Sequence, residues 1–186
     1  MSLFEAVAAV LGIASVFFST RQNVLAWPTS LLNNAMYGVF FFDKKLYALM
    51  ALQAFFGAIA VYGWYEWLFG GEAKTELKVS RTAPALGGML LALAVAATAG
   101  LILLLRQTRD PSPLVDGALT AASLIAQWMM ARKLVECWPV WIAVNLVSVP
   151  FFFLRADYPT AVQYTVFLFL AISGWRQWNA SLAGKT

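Results

Sequence analysis

Seven apolar runs, at 3–18, 28–42, 46–69, 83–105, 114–130, 139–154 and 158–178, make up most of this chain, and each is closed off by charge, proline or glycine. They lack the two-residue alternation of a barrel strand, and a bilayer leaves no water for unpaired backbone groups, so helices are the form open to them. A composition 61% hydrophobic and 12% charged over 186 residues excludes a soluble globule. The expectation is an all-α integral membrane protein with seven transmembrane helices. The stretch from Met1 to Glu5 lacks the basic region of a cleaved signal, so the first run is expected to stay as a span. The runs at 28–42 and 139–154 are short for a hydrocarbon core of about 30 Å. Trp27 and Trp138 in the interface, with Arg21, Lys44, Arg132 and Arg155 reaching toward headgroups, let them cross. The Gly-led polar stretch 70–81 reads as a solvated linker.

A shift of 111 residues aligns the first three runs with the last three without a gap. From Leu3 to Trp67 there are 15 identities over 65 positions, among them Arg21/Arg132, Trp27/Trp138, Pro28/Pro139, Asn34/Asn145, Tyr47/Tyr158, Gly63/Gly174, Trp64/Trp175 and Trp67/Trp178. These are the residue types an apolar composition explains least, so the pattern reads as an internal duplication. Three helices would invert the second copy. The unmatched run 83–105 returns the chain to its original side and makes the units parallel, in a 3+1+3 plan of 1–69, 70–113 and 114–186. Parallel repeats about an axis along the membrane normal are a transporter architecture, with substrate near the midplane. Five Lys and Arg fall on the N-terminal side (Lys44, Lys45, Arg106, Arg109, Arg155) and eight on the other (Arg21, Lys74, Lys78, Arg81, Arg132, Lys133, Arg176, Lys185). The positive-inside bias then places the C-terminus and stretch 70–81 in the cytoplasm and the N-terminus outside.

The candidate site residues lie at the repeated Trp-Pro openings. On the sixth run Trp138, Trp141, Asn145 and Ser148 form one helical stripe, and the second run offers Trp27, Ser30, Asn34 and Tyr37. An amide in hydrocarbon must face protein or a polar cavity, so Asn34 and Asn145 are expected to face inward. The third run adds Gln53, Tyr62 and Trp64, and the seventh Gln163 and Tyr164. Trp67 and Trp178, at run ends, read as interfacial belt residues; Trp64 and Trp175 stand between packing and substrate stacking. Glu136 beside Arg132 and Lys133 reads as a solvated loop network, and the single cysteine, Cys137, as a small apolar side chain.

With no histidine and nine scattered acids, the chain offers neither a multi-ligand metal centre nor a His-based triad, and no cofactor is called for. No span carries an acid near its centre, which favours facilitated diffusion over proton coupling. No Arg or Lys lies within a span to meet a phosphate. Amides, hydroxyls and aromatics suit a flat, hydroxylated solute that is neutral or singly cationic. A net charge of +4 fits cytoplasmic loops better than nucleic-acid binding.

The run from Arg132 to Asn145, with Leu46-Tyr47, Gln53 and the run Tyr62-Gly-Trp-Tyr-Glu-Trp67, resembles the PnuC family of nicotinamide riboside transporters across both repeats. The resemblance implies a seven-helix fold related to SWEET sugar transporters, a homotrimer, and energy-independent uptake across a bacterial inner membrane. A cytoplasmic kinase would trap the nucleoside. It further implies that Trp138, Trp141 and Asn145 form the substrate motif, that Gln53, Tyr62 and Trp64 match the third-span motif, and that Asn34 is the first-repeat counterpart of Asn145. Thiamine or another flat vitamin is the alternative substrate. A non-transporting membrane subunit or receptor is the alternative of another class.

Overall fold

The computed structural model describes residues 3–107 and 111–184, apart from the side chains of Leu3, Glu5 and Ala48. Arg109 and Lys185, counted above for orientation, lie outside the described residues. Among the described residues seven α-helices follow one another: α1 (Leu3–Thr20), α2 (Ala26–Asp43), α3 (Tyr47–Phe69), α4 (Pro84–Gln107), α5 (Pro113–Ala131), α6 (Cys137–Leu154) and α7 (Tyr158–Ala183). A short 3-10 turn, Glu72–Lys74, lies between α3 and α4. The helix bounds follow the apolar runs, with α2 and α6 each reaching 18 residues because the helix begins before its proline. Pro28 and Pro139 sit in first turns, where a backbone N–H has no intrahelical partner to lose. Asp157 caps α7, its Oδ1 accepting from Thr160 N at 3.3 Å.

The tight turns inside each triplet share one conformation. Gln22 and Lys133 both take left-handed φ, 54° and 48°, as do Lys45 and Ala156 at 59° each. Asn23 N donates to Phe18 O and Leu134 N to Met129 O, each at 2.9 Å. Leu46 N donates to Phe41 O at 2.8 Å, and Asp157 N to Phe152 O at 3.0 Å. All four pairs are 111 residues apart. A left-handed non-glycine residue costs on the order of 1 kcal/mol, which is sustained where neighbouring bonds fix the turn.

Within the first triplet α2 packs on α1 and α3, and within the second α6 packs on α5 and α7; the triplets meet where α1 lies against α7 and α3 against α5. Helix α4 packs on α5 and buries only Leu90. Its Met89, Leu91, Leu93, Val95, Leu103 and Leu104 are exposed, as on a helix that faces lipid. By length and composition α4, α5 and α6 can each cross a membrane, and α1 carries the shorter apolar run Ala6–Thr20.

The core gathers at one end, where α1, α3, α5 and α7 finish and α2 and α6 begin. Trp27 and Trp138 are buried, Trp27 against Gly63 and Trp138 against Gly174. Trp67 and Trp178 stand between them and are 2% and 0% exposed, which overturns their reading as belt residues. Their N–H groups bond carbonyls of neighbouring helices, so protein takes the place of the headgroup region an interfacial indole uses.

The stretch after Gly70 is also more than a solvated linker. Leu77 N donates to Trp67 O at 3.2 Å, Ser80 N to Lys133 O at 3.0 Å, and Val135 N to Ser80 O at 3.0 Å, while Val79 is buried. Thr82 donates to Glu136 Oε2 from its backbone N at 2.8 Å and its hydroxyl at 2.6 Å. The stretch is thus a strap over the α5–α6 turn. Glu136 takes the strap as partner, with Arg81 Nη1 3.9 Å from its Oε1. Arg132 turns instead to Glu66 at 2.8 Å, and Lys133 Nζ lies 4.5 Å from the Trp67 ring centroid.

Candidate substrate site

Helix α6 holds the densest set of candidates. Heptad spacing puts Trp138, Asn145 and Phe152 on its face toward α7, where Trp138 meets Gly174 and Phe152 stacks on Tyr164 at 5.3 Å. Asn145 lies between these contacts and is 2% exposed. Trp141 and Ser148 continue the stripe. Among the described residues, Trp138 Nε1, Trp141 Nε1 and Ser148 Oγ are buried without a protein partner, as is Trp27 Nε1 at the matching place on α2. Each such group costs about 1–3 kcal/mol unless water or a ligand bonds it. Three on one helix, beside a buried amide, make a stripe prepared for a polar occupant.

The first-repeat counterparts open differently. Asn34 and Gln53 line a groove of ≈ 470 Å³ between α2 and α3, with Leu31, Gly38, Met50 and Gly57. Asn34 Nδ2 reaches Ser30 Oγ only at 3.5 Å. At the equivalent places in the second triplet stand Val149, Leu168 and Tyr164 in place of Gly38, Gly57 and Gln53. The glycines therefore leave room on one side that larger side chains occupy on the other.

Tyr37 stacks on Phe41 at 6.0 Å, and Tyr164 stacks on Phe152 and meets Phe167 edge-on at 6.0 Å. Gln163 converges with Asn33 on Gly12, where a Cβ would meet Asn33 Nδ2 at 3.5 Å and Gln163 Nε2 at 3.6 Å. Asn33, whose Nδ2 donates to Ala8 O at 2.6 Å, is a polar residue that the repeat pattern passes over, because its counterpart is Val144. The signal available in the sequence is its place beside Asn34 at the middle of α2.

Two third-span residues lie elsewhere. Tyr62 accepts from Arg132 Nη1 at 3.2 Å and lines a second groove, of ≈ 320 Å³, with Phe55, Ala58, Ile59 and Trp128. The Tyr62 hydrogen bond and then the nearby Glu66 carboxylate hold the Arg132 guanidinium above its ordinary value. Trp64 is 38% exposed on the outer face of α3, and Trp175 is exposed likewise on α7. The structure does not bring Trp64 to the α6 stripe.

The nicotinamide riboside transporter PnuC of Escherichia coli (strain K12) is 26% identical over 204 residues, covering 96% of this chain and 85% of that protein. The riboflavin/roseoflavin transporter RibM of Streptomyces davaonensis is 30% identical over 181 residues, covering 94% and 83%. The nicotinamide riboside transporter PnuC of Neisseria mucosa is 24% identical over 190 residues, covering 96% and 72%. A crystal structure of the vitamin B3 transporter PnuC superposes with a TM-score of 0.79 at 23% identity, over 100% of this chain and 84% of that one, and shares its fold. The family described as nicotinamide mononucleotide transporter matches residues 2–180. The chain is a multi-pass membrane protein and belongs to the nicotinamide mononucleotide transporter family.

Proposed function

We propose that this protein carries nicotinamide riboside across a bacterial inner membrane by facilitated diffusion, as a precursor for NAD synthesis. The observation that carries the reading is the α6 stripe, in which Asn145 is buried and Trp138 Nε1, Trp141 Nε1 and Ser148 Oγ lack partners among the described residues. Indole and amide groups of this kind bond ribose hydroxyls and a carboxamide, and indole faces accept a cationic ring. The relatives of E. coli and N. mucosa named for nicotinamide riboside support the choice of solute. The riboflavin/roseoflavin relative keeps a second flat vitamin in contention, with thiamine as the further case.

The two triplets act as parallel repeats that rock against each other, supported by their matching turns. Asn34, Gln53 and Tyr37 serve the substrate from the first repeat, Gln163 and Tyr164 from the seventh helix, and Tyr62 from the α3–α5 seam; Trp64 is left out because it faces outward. The C-terminus lies in the cytoplasm, as the balance of Lys and Arg between the two sides favours, and, as the family resemblance implies, a kinase there traps the nucleoside and the assembly is a homotrimer. Uptake into proteoliposomes of labelled nicotinamide riboside, riboflavin and thiamine, measured side by side, tests the proposal. Saturable flux of nicotinamide riboside above protein-free vesicles is expected. A preference for riboflavin or thiamine would reassign the solute, and no flux of any of the three would refute the transport reading.

A further inference from the structure

Two indole hydrogen bonds cross between the triplets in opposite directions. Trp67 Nε1 on α3 donates to Met130 O in the last turn of α5 at 3.1 Å, and Trp178 Nε1 on α7 donates to Ser19 O in the last turn of α1 at 3.1 Å. Donors and acceptors alike are 111 residues apart, so each bond is the image of the other. Both carbonyls also accept the N–H of their turn, Met130 O from Lys133 N at 3.0 Å and Ser19 O from Gln22 N at 3.1 Å. The Trp67 and Trp178 rings stand 6.0 Å apart, with Trp27 5.2 Å from Trp67 and Trp138 5.3 Å from Trp178. Further ties between the triplets lie at the same end: Gln22 Nε2 to Ser181 Oγ at 3.2 Å, and Arg132 to Glu66 and Tyr62.

We infer that the paired indole bonds are a latch that holds this end of the carrier closed, and that substrate leaves or enters here only when both are broken. The inference rests on the reading of the chain as a carrier whose triplets move against one another. Three features suit these bonds to repeated breaking. The acceptors keep a second bond from their own turns, so no carbonyl is orphaned when the indole departs. The freed N–H groups come to lie at a membrane end, where opening gives them water. Trp178 also packs edge-on against Trp138, the first residue of the site stripe, so a substrate that shifts Trp138 bears directly on one half of the latch.

The chain contains its own reporter. Cys137, its single cysteine, is fully buried at the first turn of α6 within the same cluster. Trp67→Phe and Trp178→Phe keep an aromatic ring and remove the donor. In the purified full-length protein, each should raise the rate of maleimide labelling at Cys137 about fivefold, the population shift that one net hydrogen bond supports. The double variant should raise it roughly 25-fold if the bonds act independently. Trp64→Phe, an outward-facing indole on the same helix, is the control and should leave the rate unchanged. Unchanged labelling in both single variants overturns the latch. So does an equal rise in the control, or a rise that merely tracks a loss of thermal stability, since the indoles would then only pack. The measurement needs no substrate, so failure of the wild-type protein to transport would count against the transport reading and not against the closed contact.

Discussion

Gly174→Ala gives the sharpest test of where substrate binds. A Cβ at this position would lie 2.5 Å from Trp138 Cζ2 and 2.6 Å from Cε2 and Cη2, against about 3.5–4.0 Å for carbon atoms in contact. The ring must therefore retreat by roughly 1 Å. It has nowhere easy to go, because it is fully buried and packs edge-on against the Trp178 ring at 5.3 Å. Overpacking of this kind costs about 1–3 kcal/mol, while replacing a mid-helix glycine by alanine returns about 1 kcal/mol, so the net loss of stability is about 0–2 kcal/mol. Displacement of Trp138 should cost binding more visibly. Losing an aromatic contact worth about 0.5–1.5 kcal/mol weakens affinity about two- to tenfold. Gly63→Ala is the matched comparison, since its Cβ would run into the Trp27 ring in the same way. It should lower stability equally and leave affinity nearly intact, because Ser30 stands on α2 where Trp141 stands on α6. Calorimetric titration with nicotinamide riboside and thermal unfolding of both variants read the two quantities separately. Equal losses of affinity, or a loss confined to Gly63→Ala, would refute the assignment of the substrate to the α6 stripe.

Other outcomes follow from the same contacts. Asn145→Leu replaces a buried amide by an apolar side chain of similar volume, so titration should show affinity falling about tenfold or more while the thermal midpoint holds or rises. A joint loss of folding and binding would make Asn145 a packing residue. Thr82→Val removes the 2.6 Å hydroxyl bond to Glu136 and leaves the backbone N–H bond, which should cost about 1 kcal/mol and speed proteolysis between Gly70 and Arg81; unchanged cleavage would mean the strap is held by its backbone bonds alone. An imposed pH gradient should not drive accumulation of nicotinamide riboside in proteoliposomes, and accumulation above the external concentration would overturn facilitated diffusion.

The sequence made the helices legible because hydrocarbon penalises every unpaired backbone group, so apolar length and its breaks at Asp43, Gly70 and Pro113 carry the boundaries. The Trp-Pro openings were legible as special places through their repetition. Run-end position misled at Trp67 and Trp178, because an indole N–H finds its partner equally well in a headgroup region or in the carbonyl of a helix end, and only packing decides between them. The strap was hidden because its hold is mostly backbone, through Leu77, Ser80 and Val135, and backbone pairing leaves little trace in composition. Glu136 shows the same limit for charge: adjacency pointed to Arg132 and Lys133, but the turn at Lys133 directs its carboxylate to Thr82.

The division between repeated and unrepeated residues matches a division of labour. Where the triplets seal against each other, the parts are duplicated: glycine under Trp, indole to helix-end carbonyl, left-handed turn. Toward the middle of the bundle the copies part, Ser30 against Trp141, Asn33 against Val144, Tyr37 against Ser148, and Gly38 with Gly57 against Val149 with Leu168. A two-fold arrangement suits a movement in which the two triplets part equally, but a nucleoside has no two-fold axis and cannot satisfy two identical half-sites at once. Shared residues such as Trp138 and Asn145 can therefore serve it only together with residues the repeats do not share. Trp141 and Ser148, with unpaired buried polar atoms on α6 and different residues on α2, meet that requirement. Exchanging Trp141→Ser with Ser30→Trp would therefore abolish binding if position within the asymmetric stripe matters, and would preserve it if an indole in either repeat sufficed.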